Sequence, residues 1–158
     1  CELFFDLLLA DELGTGSISW RIGEEDVKRI MQNPRTMIGS DGLMYPGCTS
    51  CHPRAFGSFP RVLGRFVREM GVLSLEEAIR KMTGMPAMLY ELQGKGLLRV
   101  GMDADIAIFD ADTIIDNADF KNSTARCTGL KYVFVGGHKV VEDAVYTDGL
   151  YGKVLPIL

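Results

Sequence analysis

Near Gly96 the hydrophobic pattern changes period, and that change limits the fold more than any other feature. Before it, apolar residues recur at helical spacing. Val27, Ile30 and Met31 form one stripe, and Val62, Leu63, Phe66, Val67 and Met70 a second. Leu75, Ala78, Ile79 and Met82 form a third. After it, Tyr132 and Phe134 alternate with Val133 and Val135, then Gly136-Gly137 leads into Lys139-Val140-Val141. Two glycines between alternating runs signal a β-hairpin.

Local signals set the boundaries. Glu24, Glu25 and Asp26 place three acids in a first turn, and Asn33-Pro34 stops that helix, so residues 24–32 are expected to be helical. Pro60 is expected to open the next helix and Gly71 to close it. Ser74 to Glu77 spells a capping box, S-x-x-E. A shorter helix is expected from Met85-Pro86 to about Gln93. Strands are expected at 14–20, 36–39, 97–100, 105–109 and 130–135.

Two strands of the βα type cannot close a barrel or form a stable parallel sheet alone. The fold class is therefore α/β plus β. Residues 1–95 are expected to be the last βα units of a larger α/β domain, and residues 96–158 part of a small β domain. The chain begins with Cys1 and no export signal follows, which agrees with a piece of a longer protein.

Composition narrows the function classes. The 158 residues carry a formal charge of −4, so a broad nucleic-acid face is not expected. The most apolar run, Leu3 to Ala10, is short and broken by Asp6, so no membrane span is expected. The four cysteines, Cys1, Cys48, Cys51 and Cys127, are not spaced like a disulfide framework. A reducing, cytoplasmic setting with free thiols is expected.

The richest stretch is GSDGLMYPGCTSCHPR, residues 39–54. CTSCH spells the c-type haem attachment pattern. It also offers Cys48, Cys51 and His52 to zinc, with Cys127 or His138 as a distant fourth ligand. A single knuckle is weak evidence for zinc, and adjacent Cys51 and His52 do not readily share one tetrahedral ion. Haem needs a second axial ligand and an oxidising compartment, for which the chain gives no sign.

Asp41 ends the expected strand 36–39 and precedes Gly42. In α/β folds that edge of the sheet binds ligands. A plain Asx-turn would also account for it. Arg54 follows Pro53, in a loop stiffened by a second proline, Pro60. A guanidinium fixed in this way suits bidentate carboxylate recognition, although an exposed arginine would look the same.

Five runs together resemble a known family. They are SDG, HPRAFGSFPRVLGRFVRE, SLEEAIRKMTGMPA, GLLRVGMDADIAIFD and YVFVGGHKVV. The set is similar to the C-terminal part of the N-acyl-D-amino-acid deacylases (D-aminoacylases) of the amidohydrolase superfamily. The run H-P-R-x-x-G-[ST]-[FY]-P-R-V-L is specific to the deacylases, whereas T-x-x-P-A and G-x-x-A-D-[IL] occur across the superfamily.

The resemblance implies a TIM-type barrel carrying a zinc site, followed by part of a small β-sandwich built from both chain ends. Residues 36–39 would be the last barrel strand. Asp41 would touch the metal and act as general base, and Arg54 would bind the substrate α-carboxylate. Ser40 and His52 would support them. The other metal ligands would lie before Cys1, so the chain alone is expected to be inactive. The implied partner is a small N-acyl-D-amino acid, with no nucleic acid and no membrane; a homo-oligomer is allowed. The alternatives are a cyclic-amide hydrolase of the dihydroorotase or hydantoinase kind, and a non-enzymatic metal- or haem-binding module on Cys48, Cys51 and His52.

Overall fold

The computed structural model describes residues 2–12, 21–44 and 51–155. Its first part is helical: α1 (Glu2–Ala10), α2 (Glu24–Gln32), α3 (Arg54–Arg61), a π-helix (Val62–Glu69), α4 (Leu75–Met82) and α5 (Gly84–Leu89). The strands follow as β1 (Ile106–Phe109), β2 (Leu130–Val135), β3 (His138–Glu142) and β4 (Val145–Tyr146). They form one antiparallel sheet in chain order. No helix among the described residues is long and apolar enough to cross a membrane.

α2 has the expected bounds, with its three acids in the first turn and Arg29 in the last. The hairpin is also where the pattern puts it. Val135 pairs with His138 across Gly136 and Gly137, whose φ angles of 56° and 81° suit the twist of the flanking strands. Ser74 caps α4 by accepting the Glu77 N–H at 3.2 Å. Only that half of the capping box is in place, since the Glu77 carboxylate turns to Arg80 instead.

The buried core joins α2, the π-helix and α4 to the segment after β1. Met31, Leu63, Phe66 and Ala78 pack with Ile114, and Phe109 and Leu130 lean in from the sheet. Gly64 makes this possible. A Cβ there would lie 2.5 Å from the Ile114 carbonyl oxygen and 2.5 Å from Ile115 Cδ1. Arg68 fastens the same contact by donating to the carbonyls of Ile114 at 2.6 Å and Ala111 at 3.2 Å.

Three expectations are corrected. Residues 36–39 are not a strand, because no neighbour among the described residues pairs with them. Residues 97–100 are likewise irregular. Pro60 lies inside α3 and does not open it. Pro53 occupies the cap, and its carbonyl accepts the Gly57 N–H at 2.9 Å, so the helix starts at Arg54. Pro60 has no N–H to give its own turn, and the helix widens into the π form just beyond it. The expected strand at 14–20 lies outside the described residues.

Candidate functional site

Asp41 and Arg54 are brought together. Arg54 Nη1 lies 2.9 Å from Asp41 Oδ2. The Asp41 side chain is 79% exposed and that of Arg54 40%, so the pair opens to solvent. Arg54 Nε, by contrast, is buried and has no hydrogen-bond partner among the described residues.

Local backbone chemistry holds the pair. Asp41 adopts φ 48°, a left-handed conformation that a short polar residue tolerates better than a bulky one. Ser40 Oγ accepts the Gly42 N–H at 3.1 Å, closing a small turn around Asp41. Gly42 runs against the start of α3: a Cβ there would sit 2.8 Å from Ala55 Cα. Ser58 Oγ lies 2.9 Å from the Arg54 carbonyl and 3.3 Å from that of Ser40, so it bridges the two sides of the site.

His52 supports Arg54. Its Nδ1 accepts the Arg54 N–H at 3.1 Å, and its ring meets Phe120 edge-on at 5.2 Å between centroids. Desolvation, and secondly the Arg54 charge, hold the imidazole pKa below its ordinary value, with Asp41 pulling the other way. A cavity of about 390 Å³ lies alongside, lined by His52, Arg54, Ser58, Arg61, Asp116 and Phe120. Arg61 is already engaged there, 3.3 Å from the nearly buried Asp116 carboxylate.

The described part of the cysteine loop gathers no metal cluster. Cys48 lies outside the described residues. Cys51 is tied to Ser123: its N–H donates to Ser123 Oγ at 3.1 Å, and its Sγ is 3.8 Å from the Ser123 carbonyl. Cys127 is a free thiol whose pKa burial pushes up; it lines an apolar cavity between the helices and the sheet. His138 stacks on Tyr151 at 4.1 Å. Among the described residues no three of His, Cys, Asp and Glu group as metal ligands. Asp41 supplies one oxygen donor where a zinc site takes about four ligands, so the described residues do not hold zinc by themselves.

Sequence reasoning missed Gly42, Ser58 and the Arg61–Asp116 pair. It also missed Lys81, which anchors the segment before Asp41. The GSFP run carries Ser58 but gives no hint of its bridge. Lys81 follows Glu77 at the i,i+4 spacing of an ordinary surface pair, and that spacing hides its burial.

Comparison with known proteins gives a consistent picture. The amidohydrolase family profile matches residues 4–141. The D-aminoacylase of Alcaligenes xylosoxydans xylosoxydans is 43% identical over 140 residues, covering 89% of this chain and 28% of that protein. The N-acyl-D-glutamate deacylase of the same organism is 45% identical over 129 residues, covering 82% of this chain and 26% of that protein. A crystal structure of the Bordetella bronchiseptica N-acyl-D-glutamate deacylase superposes with a TM-score of 0.77 at 42% identity. It covers 85% of this chain and 28% of that one, and holds zinc and a phosphonate mimic of the tetrahedral intermediate. The chain thus spans little more than a quarter of the length of the relatives it matches.

Proposed function

We propose, from the premise that this chain belongs to the amidohydrolase family, that it is the C-terminal part of a metal-dependent deacylase of N-acyl-D-amino acids. The whole protein would add water across the acyl C–N bond, releasing a carboxylate and a free D-amino acid. The observation that carries the proposal is the 2.9 Å approach of Arg54 to Asp41. It puts an acceptor for protons beside a clamp for carboxylates, on an open surface, in a chain about 43–45% identical to deacylases.

Asp41 is the general base. It takes a proton from the attacking water and returns it to the leaving nitrogen as the C–N bond breaks. Arg54 holds the substrate α-carboxylate, which orients the scissile amide relative to Asp41. Ser40, Ser58 and His52 fix the backbone on which both sit. Asp41 would also be one zinc ligand, with the remaining donors supplied by residues outside this chain. Bound zinc would lower the pKa of water.

The helices, all before Tyr90, and the strands, all after Asp105, support an assignment of residues 1–95 to the barrel and 96–158 to the β-sandwich. The chain by itself, with one metal donor, is expected to be inactive.

The test is steady-state kinetics on the full-length protein. Asp41→Asn should lower kcat by about 10²- to 10⁴-fold with the fold retained. Near-parental turnover would sink the assignment. Arg54→Ala should mainly raise KM, by about ten-fold or more, for substrates bearing an α-carboxylate. A loss confined to thermal stability would refute its role. A panel of N-acyl-D-amino acids and cyclic amides separates the deacylase from a dihydroorotase- or hydantoinase-like enzyme.

A further inference from the structure

Lys81 is the largest fully buried side chain among the described residues. It lies in α4, with its ammonium turned toward the chain that leads to Asp41. Nζ donates to the Asn33 carbonyl at 2.5 Å and to the Thr36 carbonyl at 2.9 Å. Thr36 Oγ1 and Glu77 Oε1 lie further off, at 3.4 and 3.7 Å. The backbone of the same residue acts in parallel, since the Lys81 carbonyl accepts the Ile38 N–H at 3.2 Å. One residue thus grips the segment 33–38 at three points.

The segment's other ties are local or peripheral: the Thr36 hydroxyl donates to the Ile30 carbonyl at 2.6 Å, and Arg80 Nη2 lies 3.4 Å from the Pro34 carbonyl. Residues 36–40 pair with no strand among the described residues. Asn33 ends α2, and its carbonyl already accepts the Thr36 N–H at 3.2 Å and the Thr36 hydroxyl at 2.9 Å, so the buried ammonium is a further, charged donor to it. A buried ammonium is costly, and an apolar side chain of similar length usually stabilises a core better. Methionine would fill the space but leave the Asn33 and Thr36 carbonyls without these donors. The three donors of lysine match this set of acceptors. The feature explained is therefore geometric: the path of residues 33–38 fixes where Asp41 emerges.

We propose that Lys81 is a positioning residue for Asp41, acting through the backbone of residues 33–38 and not by touching substrate. The inference rests on the assignment of Asp41 as the base. The experiment uses the full-length protein with Lys81→Met and Thr36→Val, measuring kcat, KM, Tm and regional hydrogen exchange. Lys81→Met should lower kcat by about 10- to 100-fold, the loss that roughly 1 Å of misplacement brings. KM should stay within about two-fold, because the Arg54 clamp is untouched. Exchange should quicken in residues 33–42 and not in α3 or the sheet.

Parental kcat despite faster exchange in 33–42 would overturn the proposal. So would a kcat loss accompanied by faster exchange throughout. If Lys81→Met does not fold, the more exposed Thr36→Val decides whether the path of residues 33–38 positions Asp41, since its hydroxyl ties that path to the Ile30 and Asn33 carbonyls: a smaller kcat loss at unchanged KM supports the role, and unchanged kcat overturns it. Asp41→Asn run beside them separates the two claims. An active Asp41→Asn removes the base assignment itself. An inactive Asp41→Asn with a fully active Lys81→Met removes only the positioning role.

Discussion

Replacing Gly42 by alanine should pull Asp41, the proposed base, away from Arg54. The added Cβ would lie 2.8 Å from Ala55 Cα, 3.3 Å from Ser40 Oγ and 3.5 Å from Ala55 Cβ. Carbon atoms pack best at roughly 3.5 Å or more, so the two backbones must part by about 0.7 Å. The obstacle is backbone at the first turn of α3, which cannot rotate aside as a long side chain could. Overpacking of this kind costs about 1–3 kcal/mol. The displacement falls on the residue after Asp41 and the residue after Arg54, so it acts directly on their 2.9 Å approach. In the full-length protein kcat/KM for an N-acyl-D-amino acid should drop by about ten-fold or more. The assay pairs kinetics with hydrogen exchange over residues 40–58. Unchanged kcat/KM in a folded Gly42→Ala protein would refute the claim that close contact between this turn and α3 sets the site.

Two further outcomes follow from the same geometry. Gly64→Ala places a Cβ 2.5 Å from the Ile114 carbonyl oxygen, so it should cost about 1–3 kcal/mol, read as a lowered Tm; an unchanged Tm would show that the π-helix does not need the close approach. The His52 imidazole has a folded-state pKa below its ordinary value near 6.5, so the stabilisation it lends its loop is present above about 6.5. It is lost as pH falls further, because protonation turns Nδ1 from acceptor to donor and breaks its bond with the Arg54 N–H. An NMR titration of the His52 ring with a midpoint at or above 6.5 would contradict this.

Elements with redundant signals were legible in the sequence. α2 has acids in its first turn, an apolar stripe and a proline beyond its end, and its bounds are as expected. The β2–β3 hairpin has period-two alternation on both sides of two glycines. Single cues failed. Pro60 is a plausible first helical residue, but the helix begins earlier, at Arg54 with Pro53 in the cap, and nothing local ranks one proline above the other. The apolar run at 36–39 suits a strand, yet a strand also needs a neighbour, and neighbours are not local information. Asp41 and Arg54 could each be singled out by residue type and turn chemistry. Their contact could not, because it depends on Gly42 letting the turn lie against α3. Lys81 was hidden for a similar reason: lysine beside an apolar stripe normally points to water, and only the carbonyls at the end of α2 draw it inward.

The charges around Asp41 and Arg54 bear on what completes the site. The Arg54 fork has its Nε buried and its Nη1 against Asp41. In the proposed role, an incoming α-carboxylate would approach through the Nη groups, beside Asp41 and not remote from it. Two carboxylates would then share one guanidinium, leaving an unbalanced negative charge. Among the described residues, the neighbouring cations do not supply the difference. Arg61 is engaged with Asp116 at 3.3 Å, and the environment of His52 favours its neutral form. Lys81 is turned away into the carbonyls of residues 33 and 36. In the proposed role, a carboxylate bound next to a carboxylate base would be favoured by a further positive centre, and a divalent metal would supply one. The proposed zinc would thus answer the charge imbalance that the proposed substrate carboxylate creates beside Asp41 and Arg54.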